Sequence, residues 1–337
     1  MKKIAFVVHE FGMFKGRGGI ASYIYYLCKG LSKYEKDRYE IHVLTPVYDE
    51  QCELLHLKNF CLHEITEKAI DLQGKMVTKI LKKIQPAWVE TSDYGGLCLE
   101  AILERNRGCP QLEHTMFYVI HHTATRECYE WSYNLPLKIA SAQLKYVHYR
   151  EKASYYLCDM NIFPSVFLAG YIRKLYKIRD YKILRYTYDQ EKKSAKDFQR
   201  RAADHYDLEG LDRKFVISYI SRIEGRKNQK YLIESFIRFR KKTGMDAVLV
   251  IAGNSVMNEV YKYDELENIY QQIPEQYRSN IMFYDFLQSE MYQLICSVSN
   301  VAVMASAFEN FPIAMMEYVS MGIPVMASKY SGCRDYM

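Results

Sequence analysis

Short apolar runs of strand length, separated by stretches with helical periodicity, recur from one end of this chain to the other, and that alternation leaves few folds open. Residues 2–8 ("KKIAFVV") read as a buried first strand, and residues 19–34 ("GIASYIYYLCKGLSKY") as the helix that follows it. Further strands are expected at 39–45, 87–91, 116–122 and 160–165, with a long helix over 137–156. A charged and polar stretch, 189–210, then interrupts the pattern. A second series starts beyond it, with strands expected at 214–220, 246–253, 280–285, 300–306 and 323–328. Strand–helix–strand repetition of this kind predicts an α/β chain built on parallel sheets.

At 337 residues the chain is long enough for two domains with cores of their own, and 49% apolar and 26% charged residues fit an ordinary globular protein. We expect a first domain over 1–190, a linker over 191–210 and a second domain over 211–337. Nine scattered cysteines, with no C-x-x-C pair, predict reduced thiols rather than a disulfide framework or zinc knuckle. With no leader-like or membrane-spanning run, a cytoplasmic protein is expected. A net charge of +6 is too weak to imply nucleic acid. Basic and aromatic residues do interleave over 171–188, which suits either a peripheral contact with the inner face of the plasma membrane or an amphipathic helix followed by a strand; the second reading is preferred.

Parallel sheets bind ligands at the carboxyl ends of their strands, so the loops after strands are where chemistry is sought. After the first strand, Gly16, Gly18 and Ala21 match G-x-G-x-x-A, but about seven residues separate them from the strand and no acid ends the second strand, which disfavours NAD or FAD. Gly18 and Gly19 instead open a helix whose free N–H groups suit a phosphate or sugar. In the second series, Arg222 and Lys227 lie on a loop before a helix for which Asn228 is the expected N-cap, and two cations beside a helix dipole suit a diphosphate. His121 and His122 are adjacent near a strand end, so they point to opposite faces, and with no third ligand at metal spacing no metal site is expected there. In "FENFPIAMMEYVSMGIPVMAS" (308–328), Glu309 falls on a loop and Glu317 inside a helix bracketed by Pro312 and Gly322. Glu309 is expected at the mouth of a site, and Glu317 as an acid satisfied by a ligand's hydroxyls.

These pieces resemble the retaining nucleotide-sugar glycosyltransferases of family four. The resemblance rests on Glu309-x7-Glu317 with its flanks, on "SRIEGRKN", on "GRGGIASYIYYLCKGL" and on "REKASYYLCDMNIFPS". It implies the GT-B fold of two facing Rossmann-like domains, with acceptor bound mostly by the first and a nucleoside-diphosphate sugar by the second. By resemblance, Arg222 and Lys227 hold the diphosphate, Glu317 the ribose and Glu309 the donor sugar, with backbone N–H groups of Asn310, Phe311 and Ile313 facing sugar and phosphate. Pro312 stands where a glycine is common and has no N–H to give. His122 matches the family's strand-end histidine, Gly18 and Gly19 its first-domain glycine loop, and Asp335 in "SGCRD" stands where a glutamate is usual.

The implied reaction is transfer of a sugar, with retention and without a metal or other cofactor, to a hydroxyl of a glycan or lipid-linked acceptor in cell-surface polysaccharide synthesis. Closure of the two domains is expected to exclude water. This fold leads one to expect a sixth strand and a helix crossing back to the first domain beyond residue 337, so the sequence is expected to be either a fragment or a naturally shortened form. A weakly active or inactive nucleotide-sugar-binding or partner protein is therefore the alternative expectation.

Overall fold

A computed structural model describes residues 1–13, 18–186, 198, 208, 210–258, 263–284 and 289–336. The chain divides into two units, Met1–Glu130 with Leu135–Asp189 and Trp131–Asn134 with Gln190–Met337. Most of the expected linker, and Gly16 of the fingerprint-like motif, lie outside the described residues.

The first unit holds β1 (Lys2–Val7), β2 (Tyr39–Thr45), β3 (Phe60–Glu64), β4 (Trp88–Ser92), β5 (Met116–Ile120), β6 (Met160–Phe163) and β7 (Tyr181–Ile183). They form one sheet in the order β3-β2-β1-β4-β5-β6-β7, and every pairing is parallel. The helices are α1 (Gly19–Tyr34), α2 (Ile70–Ile84), α3 (Leu99–Asn106), α4 (Thr125–Tyr133, its end from Trp131 counted with the second unit), α5 (Ala142–Leu157) and α6 (Val166–Tyr176). Ala5, Val7, Val77, Leu81, Val89 and Phe117 are fully buried where α2 and α3 pack on the sheet, as a parallel sheet covered by crossover helices requires. Strand order reverses between β1 and β4, so the loops after these two strands flank the switch point.

The expected helix over 137–156 starts later, at Ala142, because the Ser141 hydroxyl accepts from Leu144 N at 3.2 Å and sets the N-terminus there. Residues Leu137–Ile139, after Pro136, form a 3₁₀ turn instead. The basic and aromatic stretch folds as the end of α6 followed by β7. There Arg173 donates to the Tyr181 hydroxyl at 2.8 Å and lies 3.9 Å from its ring centroid, a cation–π contact.

The second unit holds β8 (Phe215–Ile220), β9 (Ala247–Ala252), β10 (Met257–Asn258), β11 (Tyr263–Asp264), β12 (Ile281–Tyr284), β13 (Val301–Met304) and β14 (Val325–Ala327). Its helices are α7 (Gln229–Thr243), α8 (Glu265–Gln271), α9 (Glu275–Arg278), α10 (Ser289–Val298) and α11 (Ile313–Ser320). The main sheet runs β12-β9-β8-β13-β14, again parallel throughout. Central β9, AVLVIA, is buried at every position, which is why its sequence does not alternate. The antiparallel ribbon β10–β11 escapes sequence reading because each strand is two residues long. Helix α11 ends as its glycine predicts: Gly322 adopts φ +76°, and Gly322 N and Ile323 N return to Val319 O and Tyr318 O, each at 3.0 Å. Among the described residues no helix is long and apolar enough to cross a membrane.

Candidate active site

In the second unit, the loops after β8 and β13 meet around Glu309. The loop after β8 makes a 3₁₀ turn, Gly225–Lys227, which leads directly into α7. Asn228 stands at the N-cap position but does not cap: it is left-handed at φ +61° and its side chain donates to Ala305 O at 3.4 Å. The asparagine therefore joins the β8 loop to the β13 loop, which the capping expectation misses. Ala307 N donates to Arg226 O at 2.9 Å and adds a second tie.

Lys227 Nζ donates to Glu309 Oε2. Arg226 Nη1 lies 3.7 Å from the same oxygen, and its Nη2 lies 2.8 Å from Glu224. The Ser306 hydroxyl donates to Glu309 Oε2 at 3.2 Å. Glu309 is 6% exposed and Lys227 9%, so Glu309 does not project from the loop as the sequence suggests. It is drawn inward because its backbone pairs with a neighbouring segment: Glu309 N donates to Tyr330 O at 3.1 Å and Gly332 N to Glu309 O at 3.1 Å. That neighbouring segment is "SGCRD", whose Gly332–Asp335 turn is capped by the Ser331 hydroxyl.

Burial pushes the Glu309 carboxyl up, but the Lys227 and Arg226 cations outweigh it and hold the group below the usual carboxylate range. Burial, helped by Arg226, holds the Lys227 ammonium below its ordinary value, against the pull of Glu309 and Glu224. Glu224 follows Glu309: burial raises it, and Arg226, Arg222 and Lys227 lower it further. Two buried cations thus face two acids, and exposed Arg222 adds one more positive charge at the rim. Such a cluster is internally compensated yet keeps a surplus cation for an incoming anion.

Tyr219, on β8, braces the cluster. Its hydroxyl donates to Lys227 O at 3.0 Å and lies 2.8 Å from the Ser306 hydroxyl. Tyr219→Phe removes both bonds from a site that is 1% exposed. The expected loss of stability is about 1–3 kcal/mol, read as a lower urea midpoint with unchanged slope.

Glu317 lies on α11, half-buried, and its carboxylate sits beside Tyr292 and Cys296 of α10. Burial first, then this carboxylate, raises the Tyr292 hydroxyl and the Cys296 thiol. Asn310 and Phe311 are buried at 3% and 4% exposure, the latter 4.6 Å from the Tyr336 ring. Pro312 takes the N-cap position of α11, one residue ahead of its expected place, and Ile313 begins the helix.

The first unit carries its own polar set. His121 and His122 lie just past β5 and turn opposite ways. His121 Nε2 sits 2.8 Å from Asn161 Oδ1, its ring stacked on Phe163. His122 faces Tyr23 and Tyr186, its Nδ1 bonded to the Tyr186 hydroxyl, and its backbone N donates to Asp93 at 3.0 Å. Burial pushes the two imidazoles down to about 4 and about 3, so both are neutral at physiological pH. Gly18 is the N-cap of α1 and its N–H donates to the Glu10 carboxylate at 2.6 Å. The helix start that sequence offers to an anion is thus met by an acid of the chain itself. Arg150 and Glu151, opening "REKASYYLCDMNIFPS", hold the loop after β4. Arg150 is bidentate to Glu100 at 2.5 and 2.8 Å and also reaches Gly96 O. Glu151 accepts from Gly95 N at 3.0 Å and from the Thr125 hydroxyl at 2.6 Å.

Glu90, at the centre of β4, accepts from the Tyr23 hydroxyl at 3.0 Å, yet burial raises it from its usual 4.5 to about 7. Its neutral form favours folding fully below about 4.5, and that contribution is lost as pH rises through about 7. Glu90→Gln keeps the acceptor and removes the charge. The variant is expected to melt higher than wild type at pH 8, by an effect of up to about 3 kcal/mol, and to differ little at pH 5.

Residues 203–337 match a family model described as Glycosyl transferases group 1. A 136-residue stretch is 26% identical to alpha-D-kanosaminyltransferase of Streptomyces kanamyceticus, covering 40% of this chain and 33% of that protein. A 124-residue stretch is 27% identical to an uncharacterized glycosyltransferase of Methanocaldococcus jannaschii, covering 37% of this chain and 30% of that protein. The chain thus spans about a third of the length of the curated relatives it matches. Among solved structures, sucrose-phosphate synthase from Thermosynechococcus elongatus aligns with a TM-score of 0.72 at 16% identity, over 99% of this chain and 83% of that one. WaaG, a glycosyltransferase involved in lipopolysaccharide biosynthesis, aligns at 0.73 and 13% identity, with the same shares covered. Anabaena HepE in complex with UDP aligns at 0.66 and 14% identity, over 100% of this chain and 83% of that one. The fold is GT-B, as the sequence predicts: two α/β units, each on a parallel sheet.

Proposed function

We propose that this protein is a retaining glycosyltransferase whose second unit binds a nucleoside-diphosphate sugar. The observation that carries the reading is the buried Lys227–Glu309 pair with Arg226, at the carboxyl ends of β8 and β13. Support comes also from the group 1 match over the same unit and from the UDP held by the HepE neighbour.

In this reading Lys227, Arg222 and Arg226 receive the diphosphate. As the glycosidic bond to it breaks, negative charge grows on the leaving oxygen and the fixed cations stabilise that charge. They do so without a metal. Glu309 lies against the same cations and takes the donor sugar, where a carboxylate stabilises a developing oxocarbenium ion. The backbone N–H groups of Asn310, Phe311 and Ile313 face sugar and phosphate, and Glu317 takes the ribose hydroxyls. An acceptor hydroxyl, from a glycan or lipid-linked substrate of cell-surface polysaccharide synthesis, attacks on the face the leaving group departs from, passes its proton to the departing diphosphate oxygen, and so retains configuration. His122, neutral at working pH, belongs to the first unit, to which we assign the acceptor.

The test is release of nucleoside diphosphate from UDP-, GDP- and ADP-sugars with and without added glycan acceptors. Turnover with one donor supports the proposal. Saturable binding with no release in any combination would instead make the protein a nucleotide-sugar-binding module.

A further inference from the structure

Strands β2 and β3 bring together four residues that sequence spacing keeps apart. Glu40 and His42 are two apart on β2, and Cys61 and His63 are two apart on β3. The parallel register sets His42 opposite Cys61 and Leu44 opposite His63. With a side-chain period of two, all four point to one face of the strand pair. The ligand atoms of Glu40, His42 and Cys61 lie within 4.8 Å of one another, and among the described residues this is the one such grouping.

The histidine geometry is that of a held ligand. His42 is 5% exposed. Its Nδ1 lies 3.0 Å from His63 Nε2, with the rings stacked at 24°. Its Nε2 faces the Glu40 carboxylate, 3.0 Å from Oε1, without a well-aligned hydrogen bond. In the tautomer with its Nδ1–H donated to His63, His42 presents an Nε2 lone pair to a metal, the orientation metal-binding histidines take.

We propose that Glu40, His42 Nε2 and Cys61 Sγ form a three-residue site for a divalent transition metal ion of the zinc type, with His63 as the residue that orients His42. One carboxylate, one imidazole and one thiolate make a borderline-soft donor set, which zinc accepts and magnesium or calcium does not. A tetrahedral ion spaces such ligands about 3.4–3.7 Å apart, so Glu40 Oε1 and His42 Nε2, 3.0 Å apart, open slightly on binding. The fourth position is left to water. Binding replaces the Cys61 S–H by an S–metal bond and releases one proton to solvent, so affinity rises with pH. All four residues lie on β2 and β3, and β3 is the edge of the sheet. The ion therefore pins an edge strand to its neighbour. This inference stands apart from the glycosyltransferase reading, since none of its residues takes part in the proposed transfer.

The experiment is a cobalt(II) titration of the chelator-treated full chain, followed by absorption. One equivalent is expected to give intense four-coordinate bands in the visible and a thiolate-to-cobalt charge-transfer band in the near ultraviolet, both removed by zinc. Cys61→Ser is expected to lose the charge-transfer band, and His63→Ala to weaken cobalt binding about 10- to 100-fold, with circular dichroism reporting that both variants fold. Zinc is expected to raise the melting temperature of wild type and not of Cys61→Ser. Absence of the four-coordinate bands at one equivalent would overturn the proposal, as would a charge-transfer band that Cys61→Ser leaves intact.

Discussion

Lys227→Ala is expected to lower sugar transfer by about 10²- to 10³-fold, the range found when one preorganised donor to a developing negative charge is removed. The same variant is expected to weaken nucleoside diphosphate binding, because Lys227 meets the phosphates in the ground state as well as in the transition state. Both kcat and KM therefore change, unlike the result for a group that acts only as charge develops. The substitution also strands Glu309, whose carboxylate Lys227, Arg226 and Ser306 now satisfy. Arg226 remains 3.7 Å away, so the acid keeps one cation and the fold is expected to survive. Lys227→Arg distinguishes charge from shape: a guanidinium keeps the cation but is a planar fork rather than a compact point charge. Partial rescue of binding with poor turnover is the expected result. Wild-type transfer in Lys227→Ala would remove Lys227 from the mechanism.

Glu309→Gln is expected to leave donor binding within a few fold of wild type and to reduce turnover by at least about 10²-fold, since the amide cannot stabilise positive charge at the sugar. The alanine variant is the harsher one. Removing one partner of a buried ion pair leaves the other charge uncompensated, which costs about 3–5 kcal/mol. Glu309→Ala is thus expected to lower the melting temperature clearly, while Glu309→Gln keeps an acceptor for the Ser306 hydroxyl and a hydrogen-bonding partner for Lys227. Measuring kcat and KM beside melting temperature for both variants separates loss of chemistry from loss of fold. An active Glu309→Gln enzyme would exclude the assigned role.

Most strands of the two main sheets were legible in the sequence because parallel strands buried on both faces leave continuous apolar runs, as in β9; edge strand β3, only partly buried, was not. The glycine that ends α11 was legible for the same local reason, since a left-handed residue past a helix favours glycine. What sequence misses depends on contacts between distant segments. Arg226 is one residue from Lys227 and looks like one more solvated cation, yet it is 6% exposed and joined to Glu224 and Glu309. The inward turn of Glu309 comes from a backbone pairing with residues 330–332, which no motif spacing encodes. Glu10 at the start of α1 and the four residues shared by β2 and β3 depend likewise on loop course and strand register.

The central claim is that the second unit binds a nucleoside-diphosphate sugar through Lys227. The most direct measurement is a thermal-shift titration of the full chain, wild type and Lys227→Ala, against UDP-, GDP- and ADP-sugars. At a donor concentration of about 100 times Kd, binding stabilises the folded state by about 2.7 kcal/mol. The account predicts a saturable rise in melting temperature for wild type with one nucleotide class, and a rise in Lys227→Ala that is absent or displaced to much higher concentration. No shift with any of the three donors, or equal shifts in wild type and Lys227→Ala, would contradict it.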